Sequence, residues 1–220
     1  GRQAVKKMRE AANDAEYALC RNQIATAGGT GTGRSMAGIE SWIGQTASAS
    51  AYSRVILATS TASATTPPIA SGAPTTAPVD GSTTGAFTES ALRLALESNW
   101  QNGSTTDVIA VNAAAKNALN DFTGVAQRQV DVGRTAQASI IGASDVYVSN
   151  YGVHKVVLHR HVRDSVALCL DTSLWAVASL RGWSTEKLAK TGDAEKRQIL
   201  CEKTLVCRNP KGNSKVVAIG

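Results

Sequence analysis

At 220 residues, 43% of them hydrophobic, the chain is long enough for one substantial core or two small lobes and has an ordinary globular composition. No apolar run approaches the roughly 20 residues of a membrane span, and the first segment is charged rather than a signal peptide, which argues against membrane and secreted classes. The net charge of +6 would suit a nucleic-acid partner, but nine basic and four acidic residues are interleaved over 181–220 with no aromatic-basic stripe, the pattern of a solvated face rather than a DNA site.

The chain opens at Gly1 without a Met, so processing or a boundary upstream is expected. In "RQAVKKMREAANDAEYALCRNQ" the apolar residues Val5, Met8, Ala12, Ala15 and Leu19 recur by threes and fours, which predicts an amphipathic helix. Next comes "GGTGTGRS" at 28–35, one residue from the phosphate-loop pattern G-x-x-x-x-G-K-[ST]. Arg34 stands where the pattern needs Lys, and a helix precedes the glycines where a strand is required. The glycines are therefore expected to stop the helix and form a flexible turn. A nucleotide-binding enzyme built on residues 28–35 is the alternative reading. The same context removes Gly33, Ser35 and Ala37 (G-x-S-x-A) as a nucleophile elbow.

Of the 41 residues in 46–86, 33 are Ser, Thr, Ala, Gly or Pro, broken by "YSRVIL", so the segment reads as a surface excursion. A helix follows, with Thr88 as N-cap, Phe87 stapled to Leu92, a stripe of Leu92, Leu96 and Trp100, and a stop at Asn102 and Gly103. "TDVIAVN" predicts a buried strand and "AAAKNALNDF" a second helix. From about Arg128 onward the segments "QRQVDV", "ASIIG", "SDVYVSNYG", "HKVVLHRHV", "SVALCLD", "LWAVASLRG" and "KRQILCEKTLVCRN" predict strands. The expected fold class is α+β, with long helices first and a strand-rich second half.

Candidate chemistry is sparse. Cys20, Cys169, Cys201 and Cys207 have neither C-x-x-C nor zinc spacing, and on one strand Cys201 and Cys207 would lie about 20 Å apart. Buried free thiols are expected. His159 and His161 would share a strand face, with His154 and Asp164 nearby in sequence, but the spacing is not that of a metal site. "STEK" at 184–187 and "KTG" at 190–192 imitate penicillin-binding elements with only two residues between them and no S-D-N. A Thr-rich adhesin would draw on residues 46–86 and the lone acceptor Asn102-Gly-Ser, but lacks a signal peptide. No catalytic residue, metal or cofactor is expected, and the chain is not expected to be an enzyme.

"MAGIESWI", "FTESALRLAL...W..G...DVIAVN", "IIGASDVYVSNYG.HKVVLHR" and "LDTSLWAVASLRGWSTEKLAKTGDAEKRQILCEKTLVCRNPKG" resemble the major capsid (major head) proteins of tailed bacteriophages, over 1–43 and 87–211. The resemblance implies the Hong Kong ninety-seven capsid fold: a spine helix over 3–22, a peripheral domain begun by residues 1–45, the excursion 46–86, an axial domain with a central sheet over 87–153, and a return over 154–220 into peripheral strands. In the family an N-terminal arm and an extended loop precede the spine helix, whereas this chain begins at the helix. The implied function is a structural subunit that self-assembles, as pentamers and hexamers, into an icosahedral head shell around phage DNA. Cement, portal or scaffold proteins are further possible partners, with no membrane, and assembly is expected in the host cytoplasm. Residues 182–198 read as a mixed-charge hairpin with a turn at 191–193. Because peripheral-domain loops of the family meet around local three-fold axes, Lys187, Lys190, Asp193 and Lys196 are the expected inter-subunit contacts.

Overall fold

A computed structural model describes residues 2–43, 55–57, 74, 84–122, 146–190, 192–193 and 196–220. Most of 46–86 and the expected strands "QRQVDV" and "ASIIG" lie outside the described residues. In chain order the elements are α1 (Arg2–Cys20), a single turn α2 (Ile39–Trp42), β1 (Val55–Leu57), α3 (Glu89–Gln101), β2 (Val108–Val111), α4 (Ala113–Asn120), β3 (Val146–Ser149), β4 (Gly152–Leu158), β5 (Ala167–Leu170), β6 (Trp175–Lys187), β7 (Arg197–Cys207) and β8 (Ser214–Val217). The class is α+β, as expected.

Six strands form a mixed sheet in the order β1-β8-β5-β2-β4-β3. The β1–β8 and β2–β4 pairs are parallel and the other three antiparallel. Alternation divides the side chains between two layers. Ile109, Val111, Tyr147, Val156, Ala167, Cys169 and Val216 face α3 and α4, where they meet Leu92, Leu96, Ala115 and Leu119. Leu168, Leu170 and Val217 face the opposite side, against Ile43, Val162 and Val166. Strands β5 and β8 are buried throughout, whereas Val146, Val148 and Val153 at the β3 edge are exposed, because the second layer does not extend over them.

The expected caps are present. The Thr88 side chain accepts from Ala91 N, and Gly103 adopts φ +78° after the Asn102 C-cap. Phe87 and Leu92 belong to the same buried cluster. Trp100 departs from expectation and is 60% exposed. Its place on the inner face is taken by Asn99, which donates from Nδ2 to Thr106 Oγ1 (2.7 Å) and to the Cys169 carbonyl (3.2 Å). The eight residues from Leu92 to Trp100 carry the helix about 80° past two full turns, enough to rotate the indole out of the core.

Two further expectations are corrected. Helix α1 ends at Cys20, well before Gly28, so the glycines do not stop it. The glycine that matters there is Gly38: a Cβ added to it would lie 1.9 Å from the Arg21 carbonyl oxygen, and its N–H donates to Gln23 O (3.0 Å). This close approach seats α2 against the end of α1. Strand β4 ends at Leu158, so His159 and His161 are in a loop, not on a strand face.

The remaining strands, β6 and β7, form a separate two-stranded antiparallel ribbon with irregular register between Ser179 and Ser184. Its root packs through Leu205 and Cys207 against Ala37 and Trp42, with Ile39 and Trp175 shared between this cluster and the sheet. Within 46–86, β1 joins the sheet edge and Pro74 is buried, its carbonyl accepting from Ala25 N (2.9 Å).

Buried polar groups tie these layers together. Glu40 is 0% exposed, and its carboxylate accepts from Arg163 Nε (3.0 and 2.9 Å) and from Arg163 Nη2. Lys215, buried in β8, donates from Nζ to the Glu40 carbonyl (3.1 Å). His154 lies between the Thr106 carbonyl (2.7 Å from Nδ1) and Ser149 Oγ (2.7 Å from Nε2). The carbonyl only accepts, so Nδ1 carries the proton and the serine hydroxyl donates to Nε2.

Gly38→Ala is expected to cost about 1–3 kcal/mol by overpacking against backbone that cannot yield, read as a lower urea midpoint, while Gly33→Ala, with open space around it, leaves the midpoint unchanged. Burial lowers the His154 pKa below its ordinary 6.5. The unfolded chain therefore binds that proton more readily than the folded one, and this stability is present above about 6.5 and lost as the pH falls below it. Urea midpoints measured between about pH 7 and about pH 5 should fall in the parent and flatten in His154→Gln.

Candidate assembly surface

Residues 28–35 form a miniature hairpin. Gly29 and Thr32 exchange both backbone hydrogen bonds (3.0 and 3.1 Å), and Thr26 and Ser35 do the same below them (3.0 and 3.3 Å). Gly28 and Gly31 hold φ near +80°, a conformation that favours glycine. A phosphate cradle needs free N–H groups at a helix start. Here those of Gly29, Thr32 and Ser35 are already engaged, and the next helix begins only at Ile39. Ser35 Oγ bonds to Thr26 Oγ1 (2.8 Å) and to the Ile24 carbonyl (3.0 Å), with no base beside it. Nothing supports nucleotide chemistry.

The three histidines do not converge. His154 is directed to Ser149 and Thr106, while His159 and His161 face α1. His159 Nε2 lies 3.0 Å from Glu16 Oε1, and its Nδ1 accepts from His161 N (3.3 Å) and sits 3.7 Å from Cys20 Sγ. His161 Nε2 contacts Asn13 Oδ1 (3.1 Å), and its ring meets Tyr17 edge to face. The arrangement docks the second half of α1 onto the loop after β4. Asp164 is exposed beyond it. Among the described residues no group of three or more His, Cys, Asp or Glu could hold a metal ion.

All four cysteines are free; Cys201 is half-buried, a correction to the expectation that all are buried. Burial pushes the Cys20 thiol up to about 11 and the Cys169 thiol up to about 12. Such groups stay protonated and are poor nucleophiles.

The ribbon is different in kind. Strand β6 runs for 13 residues, about 40 Å at 3.3 Å per residue, and almost all of it beyond the root is exposed, Leu180 at 83%. Along it Arg181 Nε pairs with Glu202 (3.0 Å) and Lys203 lies 5.4 Å from the Trp183 ring centre. Between the ribbon and the glycine hairpin lies a cleft of about 600 Å³, lined by Arg34, Ser35, Met36, Ala178, Leu180 and Lys203 among others.

The four expected contact residues come together at the ribbon's far end. Lys187 closes β6, Leu188 N donates to Lys196 O (3.0 Å), and Gly192 turns the chain with φ +78° beside Asp193. Thr191, expected in the same turn, lies outside the described residues. Lys187, Lys190, Asp193 and Lys196 are all exposed, and among the described residues neither Lys190, Asp193 nor Lys196 makes an ion pair. Ser184–Lys187 is thus the end of the ribbon, and Lys190 and Gly192 belong to its tip.

Sequence reasoning missed the Glu40–Arg163–Lys215 node. Its signal was a lone carboxylate inside the apolar run "MAGIESWI" and a lone Lys inside "SKVVAI".

No curated protein matches the chain. Its whole length, residues 1–220, matches the family described as SU10 major capsid protein. The chain therefore belongs to that family of phage major capsid proteins and has a structural role in the capsid.

Proposed function

We propose that this chain is the repeating subunit of an icosahedral phage head, self-assembled as pentamers and hexamers around packaged DNA, with the ribbon tip as one of its inter-subunit contacts. Family membership implies self-assembly into a shell and a place in the virion. Among the described residues no helix is long and apolar enough to cross a membrane. The observation that carries the proposal is the ribbon: two strands of 13 and 11 residues, largely exposed beyond their root, with Ile199, Leu200 and Cys201 half-buried in β7. An isolated two-stranded hairpin is marginally stable in water, so such an element gains most of its order from what covers it. Copies of the same chain are the covering that capsid membership supplies.

In the capsid-fold reading, α1 is the spine helix and joins the ribbon in a peripheral domain, while α3, α4 and the sheet around them form the axial domain. Lys187, Lys190, Asp193 and Lys196 at the tip reach neighbouring subunits near local three-fold axes. Assembly takes place in the host cytoplasm, and cement, portal or scaffold proteins bind the finished or growing shell. Catalysis has no part in this role.

Exposed ion pairs contribute only about 0–1 kcal/mol each, but symmetry repeats them at every axis. Lys190→Glu and Asp193→Lys, made singly, are therefore expected to leave the melting temperature unchanged and to reduce particle yield by electron microscopy, with partial recovery in the double reversal. Single reversals that assemble like the parent at physiological salt would remove the tip from the interface.

A further inference from the structure

Two unpartnered features of the chain match each other. The first is the N-terminal half of α1. The apolar stripe that the sequence marks for burial is open there, with Val5 at 54% and Met8 at 38% exposure. Among the described residues, the side-chain hydrogen bonds and ring contacts of α1 with other elements begin at Asn13. Lys6 and Arg9 lie within about 100° of Val5 around the helix axis, and among the described residues neither makes an ion pair; Lys7 is held within the helix by Glu10 (2.6 Å).

The second is a cleft of about 420 Å³ on the α4 side of the sheet. Phe87, Ala118, Phe122 and Ile219 line it, with Asp121 and Asp164 beside them. Both aspartates are exposed, and among the described residues neither makes an ion pair. The lining is thus apolar with two carboxylates, and this face of the helix is Val5 and Met8 with the cations Arg2, Lys6 and Arg9 beside them.

We propose that the first turns of α1 from one copy of this chain seat in the Phe87–Phe122 cleft of a neighbouring copy. Val5 and Met8 enter the cleft, and Lys6 and Arg9 face Asp121 and Asp164. Met suits the site physically, because its flexible thioether fills irregular space and packs favourably against aromatic edges, here the tilted Phe87–Phe122 pair (5.3 Å between ring centres). An amphipathic helix laid into an apolar groove is a recurrent recognition mode. The two patches are different surfaces of one chain, so a head-to-tail contact between them propagates from copy to copy and forms a ring where the rotation closes. This inference rests on the shell reading and adds to it a contact distinct from the ribbon tip.

The test uses the full chain. Copies carrying Met8→Cys are mixed with copies carrying Ala118→Cys, assembled, oxidised and run on a non-reducing gel. A cross-linked dimer is expected in the mixture and in neither variant alone. Normal particles without that dimer overturn the contact and leave the shell reading standing. If the parent forms no particles, the shell reading fails on its own, and the same oxidation at high protein concentration still decides the contact by presence or absence of the dimer. As a second arm, Lys6→Glu with Arg9→Glu, or Asp121→Lys with Asp164→Lys, is expected to lower assembly about tenfold, since the lost contact recurs in every copy. The fourfold reversal should restore it. Failure of that rescue, with melting temperatures unchanged throughout, means that these charges do not face each other.

Discussion

The fold turns on one buried carboxylate. Glu40 sits in a four-residue helix too short to be stable alone, and residues 36–43 around it touch the end of α1, the root of the ribbon and the second face of the sheet. Arg163, from the loop before β5, grips the carboxylate with two nitrogens, and Lys215, from β8, holds the carbonyl of the same residue. Removing one partner of a buried pair costs about 3–5 kcal/mol, because the other is left charged without its counterion. Losing a core leucine side chain costs about 2–5 kcal/mol, so a displacement of residues 36–43 that broke this node would cost as much as the loss of one core side chain. The joint is stiff because its failure is electrostatic.

That stiffness explains how an exposed ribbon can be aimed. Beyond Val177 the ribbon has few neighbours of its own, but Leu205, Cys207 and Trp175 anchor its root in the cluster around Ala37 and Trp42. The second half of α1 is clamped onto the loop after β4 through Glu16, Asn13 and Tyr17, and its Leu19 packs against the root cluster. The two elements therefore leave a rigid body in defined directions. Shell subunits need that property, since a contact repeated by symmetry tolerates little angular error in each copy.

Legibility in the sequence followed the distance over which each signal acts. Helix α3 was readable to its caps because Thr88, Asn102 and Gly103 act on adjacent backbone. Strands β2 and β5 were readable because their apolar runs match burial. The stripe of α1 was read correctly as a stripe, but periodicity shows that a face is apolar, not whether this chain or another covers it. The glycines at 28–35 misled for a related reason, since Gly28 and Gly31 answer a local need for positive φ that both a hairpin and a phosphate loop would create. Glu40, Arg163 and Lys215 could not be paired by reading, because more than a hundred residues separate the first from its partners. The turn at Gly192 and Asp193 was legible in those residues themselves; an inter-subunit role for it came only from the family resemblance, since the charge pattern alone reads as a solvated tip.

The polar groups inside this protein and those outside it do opposite things. Inside, four titratable groups are closed off: His154 has both nitrogens engaged, Glu40 has its guanidinium, and Cys20 and Cys169 are held as neutral thiols by burial. A catalytic centre needs a reactive group that is both activated and reachable, and the described residues bring none of these groups to an open surface in that state. Outside, apolar and charged groups occur together on convex or shallow ground: Val5 with Lys6 and Arg9, Leu180 with Arg181, and Leu188 with Lys187 and Lys190. Such surfaces do little for one copy in water. They are stabilised only when complementary surfaces meet them, so the free energy missing from the outside of a single chain is the driving force available for building the shell.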